Sequence, residues 1–313
     1  MTWKVLIADK LHPAGRERLA QSAQVDDHAG ISAEELQHII GDYHALIMRS
    51  RTKVTADLLA GARNLKVVGR AGVGVDNIDL EAAKAHGVTV VNAPQATSNA
   101  VAELTLGLML AMARRIPEAD ASMKRGEWLK KQLSGVELAG KTLGIFGMGR
   151  IGSLVAQKAA ALGMRVIGYD PLIPAEEIRR RGAEPRDTPQ ALYAEADFIS
   201  LHVPLTPDTR GMIGAEAFAQ MKRGVYLVCA ARGGVIDEEA LLQALESGQV
   251  AGAALDVFAT EPPGASPLVA HPRLIATPHI GAQTAEAQQR VAVDIAEEVL
   301  AALEGQPLRW RVV

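Results

Sequence analysis

Cysteine is almost absent from these 313 residues: Cys229 stands alone, which excludes an internal disulfide and a cysteine-ligated metal cluster. Long apolar runs are missing as well. The longest, 104–113, falls far short of the ~20 residues that cross a bilayer. The opening M-T-W-K-V-L-I-A-D-K breaks its apolar run with charges and offers no small-residue cleavage site, so it does not read as a signal peptide. Neither sign of charge dominates: 33 Lys and Arg against 36 Asp and Glu leave a formal net charge of −3, with no long run of either. That balance argues against a nucleic-acid surface, and any cation that matters must be one of a few placed residues. No repeat or low-complexity tract appears. The expectation is a cytoplasmic protein with no membrane or nucleic-acid partner and no metal.

What is present is core-forming material. Hydrophobic residues make up 48% of the chain and charged ones 22%, enough for packed domains, and the length suggests about two of them. Short β-rich runs alternate with longer Ala- and Leu-rich segments, the mark of an α/β architecture built on parallel sheets. Strands are expected at 4–8, 45–48, 66–70 and 88–92, with helices at 12–20, 33–40 and 80–86 between them. A second series of strands is expected at 142–146, 165–169, 198–203, 225–229, 252–257 and 274–277. Between the two series, 98–115 reads as a helix apolar nearly all round. It is therefore a core helix, or one packed between domains or in a subunit interface. The last helical segment, 284–304, stops at Gly305-Gln306-Pro307. The remaining tail, too short to be a domain, is expected to return to the first domain as a further strand.

The strand at 142–146 runs directly into Gly147-Met148-Gly149-Arg150-Ile151-Gly152, and a helical pattern follows. This is G-x-G-x-x-G in strand–turn–helix context. Gly147 permits the tight turn, Gly149 lets the backbone approach a pyrophosphate, and Gly152 lets helix and strand pack closely. The helix N-terminus then offers unpaired amides to phosphate. The next strand ends in Asp170, 18 residues past Gly152, where a carboxylate accepts from ribose hydroxyls and repels a 2′-phosphate. NAD is the expected cofactor. Asp170-Pro171 could equally begin a turn, and only the combination of strand, glycines, helix and acid is specific.

Three further points sit at predicted strand ends, where α/β proteins bind ligands. Arg232 leaves an apolar strand onto Gly233-Gly234, and its fork suits a carboxylate. Asp256 ends the next strand, with Glu261 before Pro262-Pro263, and His279 lies between Pro278 and Gly281. A hydroxyl/carbonyl interconversion needs a group that holds and releases a proton near neutrality, and His279 suits it. A carboxylate such as Glu261 would orient the ring. Taken singly, each has a plainer reading as a surface ion pair, a solvated loop charge or a cap.

Together these motifs resemble the NAD-dependent D-isomer-specific 2-hydroxyacid dehydrogenases over essentially the whole chain. The matching stretches are 49–57, V-V-G-R-A-G-V-G-V-D-N-I-D (67–79), 140–152, A-R-G-G-V-I-D-E (231–238), A-A-L-D-V-F-A-T-E-P-P (253–263) and T-P-H-I-G-A-Q-T (277–284). The resemblance implies two doubly wound parallel-sheet domains, Rossmann-like and flavodoxin-like. The substrate domain is discontinuous (1–97 plus 287–313), the NAD domain spans 98–286, and the active site lies between them. It implies a catalytic triad of Arg232, Glu261 and His279. Gly147, Gly149, Arg150, Ile151, Gly152, Asp170, Val203, Ala230, Asp256, His279, Gly281 and Ala282 match cofactor-contacting positions, Asp256 reaching the nicotinamide amide. In the phosphoglycerate branch of the family, Arg49, Ser50, Arg70 and Asn92 match the substrate site with Arg232. Lys130 stands near a phosphate-binding basic position, binding as a point charge rather than bidentately.

The implied reaction is oxidation of 3-phospho-D-glycerate to 3-phosphohydroxypyruvate on a route to serine, by a homodimer. The alternatives are a glyoxylate/hydroxypyruvate reductase or another D-2-hydroxyacid dehydrogenase, and, outside enzymes, an NAD-sensing co-repressor-like scaffold. The chain stops where longer relatives append regulatory domains, so feedback control by serine is not expected.

Overall fold

The computed structural model describes residues 2–313. The chain divides into two compact units. Unit 1 runs to Thr97 and takes in Ala282–Val313; unit 2 is Ser98–Gly281. The second boundary thus falls five residues earlier than the expected 286/287, at the turn that precedes the last helix.

Unit 1 is built on five parallel strands: β1 (Trp3–Ile7), β2 (Ala23–Asp27), β3 (Ala45–Met48), β4 (Val67–Arg70) and β5 (Thr89–Asn92), in the order β2-β1-β3-β4-β5. This is the flavodoxin-like winding, whose order reverses between β1 and β3. The central strands are continuous apolar runs because helices cover both faces. Strand β2 was not expected: A-Q-V-D-D is a half-buried edge with one β-branched residue. Helix Ala56–Gly61 was also missed; Thr55 caps it, accepting from the Leu58 amide. The tail makes a bridge rather than a strand. Arg311 faces Val91 antiparallel, with the Val312 amide donating to the Val90 carbonyl at 2.8 Å.

Unit 2 carries seven parallel strands: β6 (Thr142–Phe146), β7 (Arg165–Tyr169), β8 (Glu184–Pro185), β9 (Phe198–Leu201), β10 (Val225–Cys229), β11 (Val250–Leu255) and β12 (Leu274–Ala276), in the order β12-β11-β10-β9-β6-β7-β8. Renumbered from β6, that is the doubly wound 3-2-1-4-5-6 order with one strand added, and its switch point lies between β6 and β9. The short β8, unforeseen, is an edge where a proline is tolerated. Helix Ser98–Ala113 lays Ala102, Leu106, Met109 and Met112 into the core with Val155 and Ala156 of helix Arg150–Ala161. It stops two residues short of the expected 115, because Arg115 turns left-handed (φ 51°) ahead of helix Ile116–Lys124. Among the described residues, no helix is long and apolar enough to cross a membrane.

Candidate active site

Strand β6 is buried throughout and delivers the chain to Gly147 at φ +86°. A Cβ there would sit 2.5 Å from the His202 carbonyl oxygen, so glycine is required on both counts. At Gly152 a Cβ would lie 2.1 Å from the Gly147 carbonyl, which lets helix Arg150–Ala161 start directly against the strand. Gly149 differs: a Cβ there would meet nothing within 4 Å. The absent side chain leaves open space over the turn, and the following helix has no side-chain cap. An open backbone cradle at an uncapped helix N-terminus fits a pyrophosphate.

Asp170 follows β7 and closes on this turn. Its Oδ2 accepts from the Met148 amide and its Oδ1 from the Leu172 amide, each at 2.9 Å. Two residues without a sequence signal complete the turn. The Arg181 guanidinium donates to the Met148 carbonyl at 2.6 Å and to Glu177 at 2.8 Å. His202 follows β9; its amide donates to the Phe146 carbonyl at 2.8 Å, and its Nε2 lies 2.8 Å from Ser200 Oγ. Burial pulls the His202 imidazole down to about 4, so it stays neutral. Val203 sits beside Gly147, Ile151 is half-buried in the helix's first turn, Arg150 is exposed, and Ala230 directly follows β10. These placements fit an NAD site.

At the carboxyl ends of β10 to β12 the remaining groups assemble. Glu261 Oε2 lies 2.7 Å from His279 Nδ1, while Glu261 Oε1 accepts from the Phe258 amide at 3.1 Å. His279 is left-handed (φ 52°) and its backbone is tied in place. Buried Asp256 accepts from Thr277 Oγ1 at 2.6 Å, from the Ile280 amide at 2.8 Å and from the Gly281 amide at 2.8 Å. Its carboxylate is therefore largely committed to the 277–281 segment. Gly281 permits that grip, since a Cβ would come within 3.1 Å of Asp256 Oδ2. Ala282 is half-buried and begins the second stretch of unit 1. Arg232, half-buried, donates through Nη1 to the Ala231 carbonyl at 2.8 Å. The neighbouring Cys229 thiol is pushed up to about 11 by burial and is no nucleophile.

In unit 1, the loop after β3 is held on both sides. Asp9, buried after β1, accepts from the Arg49 amide at 2.7 Å and from Thr52 Oγ1 at 2.9 Å. Arg51 closes the same carboxylate at 2.9 Å, and Asn77 donates to the carbonyls of Arg49 and Thr52 at 2.7 and 2.6 Å. Asp9, Arg51 and Asn77 were not singled out from sequence. Arg49 is half-buried, and among the described residues no acceptor is hydrogen-bonded to its guanidinium, whose pKa burial lowers while Asp9 opposes the shift. Ser50 is exposed beside it. Arg70 ends β4 and donates to the Ala71 carbonyl at 3.1 Å; Asn92 ends β5 and donates to the Val73 carbonyl at 2.7 Å. Lys130 is exposed in the segment after helix Ile116–Lys124 and makes no hydrogen bond to other described residues.

Known proteins match this arrangement. The profile of the D-isomer specific 2-hydroxyacid dehydrogenase NAD binding domain covers residues 106–281, and that region of the chain is an NAD-binding domain. The chain is 52% identical over 303 residues to D-3-phosphoglycerate dehydrogenase of Methanocaldococcus jannaschii, covering 97% of this chain and 58% of that protein. It is 49% identical over 306 residues to the Homo sapiens enzyme of the same name, covering 97% and 57%. The chain thus spans a little over half the length of these relatives. Among solved structures, a protein from Thermus thermophilus superposes with a TM-score of 0.90 at 38% identity, covering 99% of this chain and all of that one. A glyoxylate reductase from Paecilomyes thermophila gives 0.91 at 31%, covering 99% and 98%. By profile, sequence and fold, the chain belongs to the D-isomer-specific 2-hydroxyacid dehydrogenases.

Proposed function

We propose that this chain oxidises 3-phospho-D-glycerate to 3-phosphohydroxypyruvate with NAD. The observation that carries the chemistry is the Glu261–His279 pair at 2.7 Å. With Nδ1 engaged by the carboxylate, Nε2 is the nitrogen left to take the substrate's hydroxyl proton, and Glu261 meets the charge that forms on the ring. Arg232 holds the substrate carboxylate through its fork. When bound, NAD supplies the hydride acceptor. Gly147, Gly149, Arg150, Ile151, Gly152, Asp170, Val203, Ala230, Asp256, His279, Gly281 and Ala282 hold that cofactor.

The choice of a phosphorylated acid is supported by the two named relatives at about half identity and by Arg49. A half-buried guanidinium with no hydrogen-bonded protein acceptor among the described residues suits an anion beyond the one Arg232 holds. Ser50, Arg70, Asn92 and Lys130 complete the proposed substrate set. A cytoplasmic homodimer is the finer reading. It is supported by the exposed apolar side chains Ile116, Met123 and Trp128 and by the lone thiol. A single-protomer mass by sedimentation would contradict the dimer.

Initial rates of NADH formation or consumption on 3-phospho-D-glycerate, D-glycerate, glyoxylate and hydroxypyruvate test the reading. The phosphorylated acid is expected to lead by tenfold or more in kcat/KM. Activity with glyoxylate or hydroxypyruvate and none with the phosphorylated acid would establish the second reading, a reductase like the Paecilomyes thermophila protein.

A further inference from the structure

We propose that Glu238 is a positioning residue that keeps the Glu261 loop in register with the Arg232 turn. Helix Glu238–Glu246 already has its cap: Asp237 Oδ1 accepts from the amides of Glu239 and Ala240, both at 3.1 Å. The Glu238 carboxylate, which would ordinarily serve such a helix start, reaches across 21 residues instead and accepts from the Ala259 amide at 2.6 Å. A carboxylate on a backbone N–H is among the stronger hydrogen bonds available to a loop.

The neighbouring contacts give that bond its consequence. A Cβ on Gly233 would fall 1.8 Å from the Phe258 carbonyl oxygen, so the Arg232 turn and the Glu261 loop pass in direct backbone contact. One residue on, the Ala259 amide is held by Glu238. The Phe258 amide is held by Glu261 Oε1, whose other oxygen meets His279. The two adjacent amides therefore each have their own carboxylate. Without Glu238, the Ala259 amide is left beside Glu261 as a competing donor, and the oxygen that orients His279 is no longer reserved for it. Displacements of about 1 Å in such a constellation cost rates on the order of a hundredfold.

The proposal rests on Glu261–His279 being the acid–base pair, and the experiment separates the two claims. Glu238→Ala, Glu238→Gln, Glu261→Gln and the Glu238→Ala/Glu261→Gln double variant are compared on whichever 2-hydroxy or 2-keto acid the wild type turns over. Glu238→Ala is expected to lower kcat at least tenfold, leave the NADH Kd within twofold, and move the pH profile of kcat/KM in the same direction as Glu261→Gln. Glu238→Gln, which keeps an acceptor, is expected to recover to within about threefold of wild type. The double variant is expected to lose far less than the product of the single losses, because one residue acts through the other. Wild-type kcat and pH profile in Glu238→Ala, or losses that simply multiply, would overturn it. Should Glu238→Ala not fold, Glu238→Asp keeps the charge, shortens the reach by one methylene and carries the same comparison. A wild type inactive on every acid would end the proposed function alone. The His279 imidazole titration followed by NMR would then decide: a curve displaced in Glu238→Ala as in Glu261→Gln supports the positioning role, and an unmoved curve overturns it.

Discussion

Asp256 grips the two amides that follow His279, so a buried carboxylate sets the backbone of an exposed histidine it does not itself bond. A left-handed backbone costs a residue with a side chain about 1 kcal/mol, and His279 adopts it at φ 52°. Donors from Ile280 and Gly281, with the Thr277 hydroxyl, offset that cost.

Asp256→Asn turns one acceptor oxygen into a donor that faces N–H groups, so at least one of these bonds is lost. The expected result is a kcat lower by about tenfold to a hundredfold together with a lower melting temperature. Steady-state kinetics and calorimetry on the same preparation check it; wild-type kcat would show that the grip does not matter to His279.

Asp170 holds the shape of the glycine turn, and the proposed NAD site assigns it the choice of cofactor as well. Its carboxylate accepts from Met148 and Leu172; facing the ribose of the proposed cofactor it would repel a 2′-phosphate, a like-charge clash worth several kcal/mol. Asp170→Ser is expected to weaken NADH binding and to narrow the preference for NAD over NADP by tenfold or more, read from the two Kd values by fluorescence titration. An unchanged ratio would take the discrimination away from this residue.

What was legible from sequence follows from what sequence can carry. Gly147, Gly149, Gly152 and Asp170 were readable because a strand, a turn and a helix N-terminus impose a fixed local spacing. The pairing of Glu261 with His279 was guessable from residue types at strand ends. Asp9, Asn77, Arg181 and Glu238 were not. Each acts on a backbone group 21 to 40 residues away, and no local pattern marks an aspartate as the acceptor of a distant amide. Strands β2 and β8 escaped for a different reason. Both lie at sheet edges and lack the apolar run that burial on two faces demands.

His202 makes stability depend on pH. Burial holds its imidazole at about 4 in the folded chain, whereas an unfolded histidine titrates near 6.5. Between those values the unfolded chain binds the extra proton, so the contribution is complete above about pH 6.5 and is lost as pH falls toward 4. His202→Asn removes the group, and its unfolding free energy is expected to fall less steeply over that window. Denaturant titrations across the range check this; parallel curves for the two proteins would contradict it.

The most direct test of the account is His279→Ala. NADH formation from 3-phospho-D-glycerate and the NADH Kd are measured side by side in this variant and the wild type. Loss of the proposed acid–base group is expected to lower kcat by roughly a hundredfold to ten-thousandfold, while the NADH Kd, which His279 shares with the other proposed contacts, rises by no more than about tenfold. Turnover at the wild-type rate, or a wild type that binds NADH yet turns over no 2-hydroxy or 2-keto acid, would contradict it, the latter in favour of an NAD-sensing scaffold.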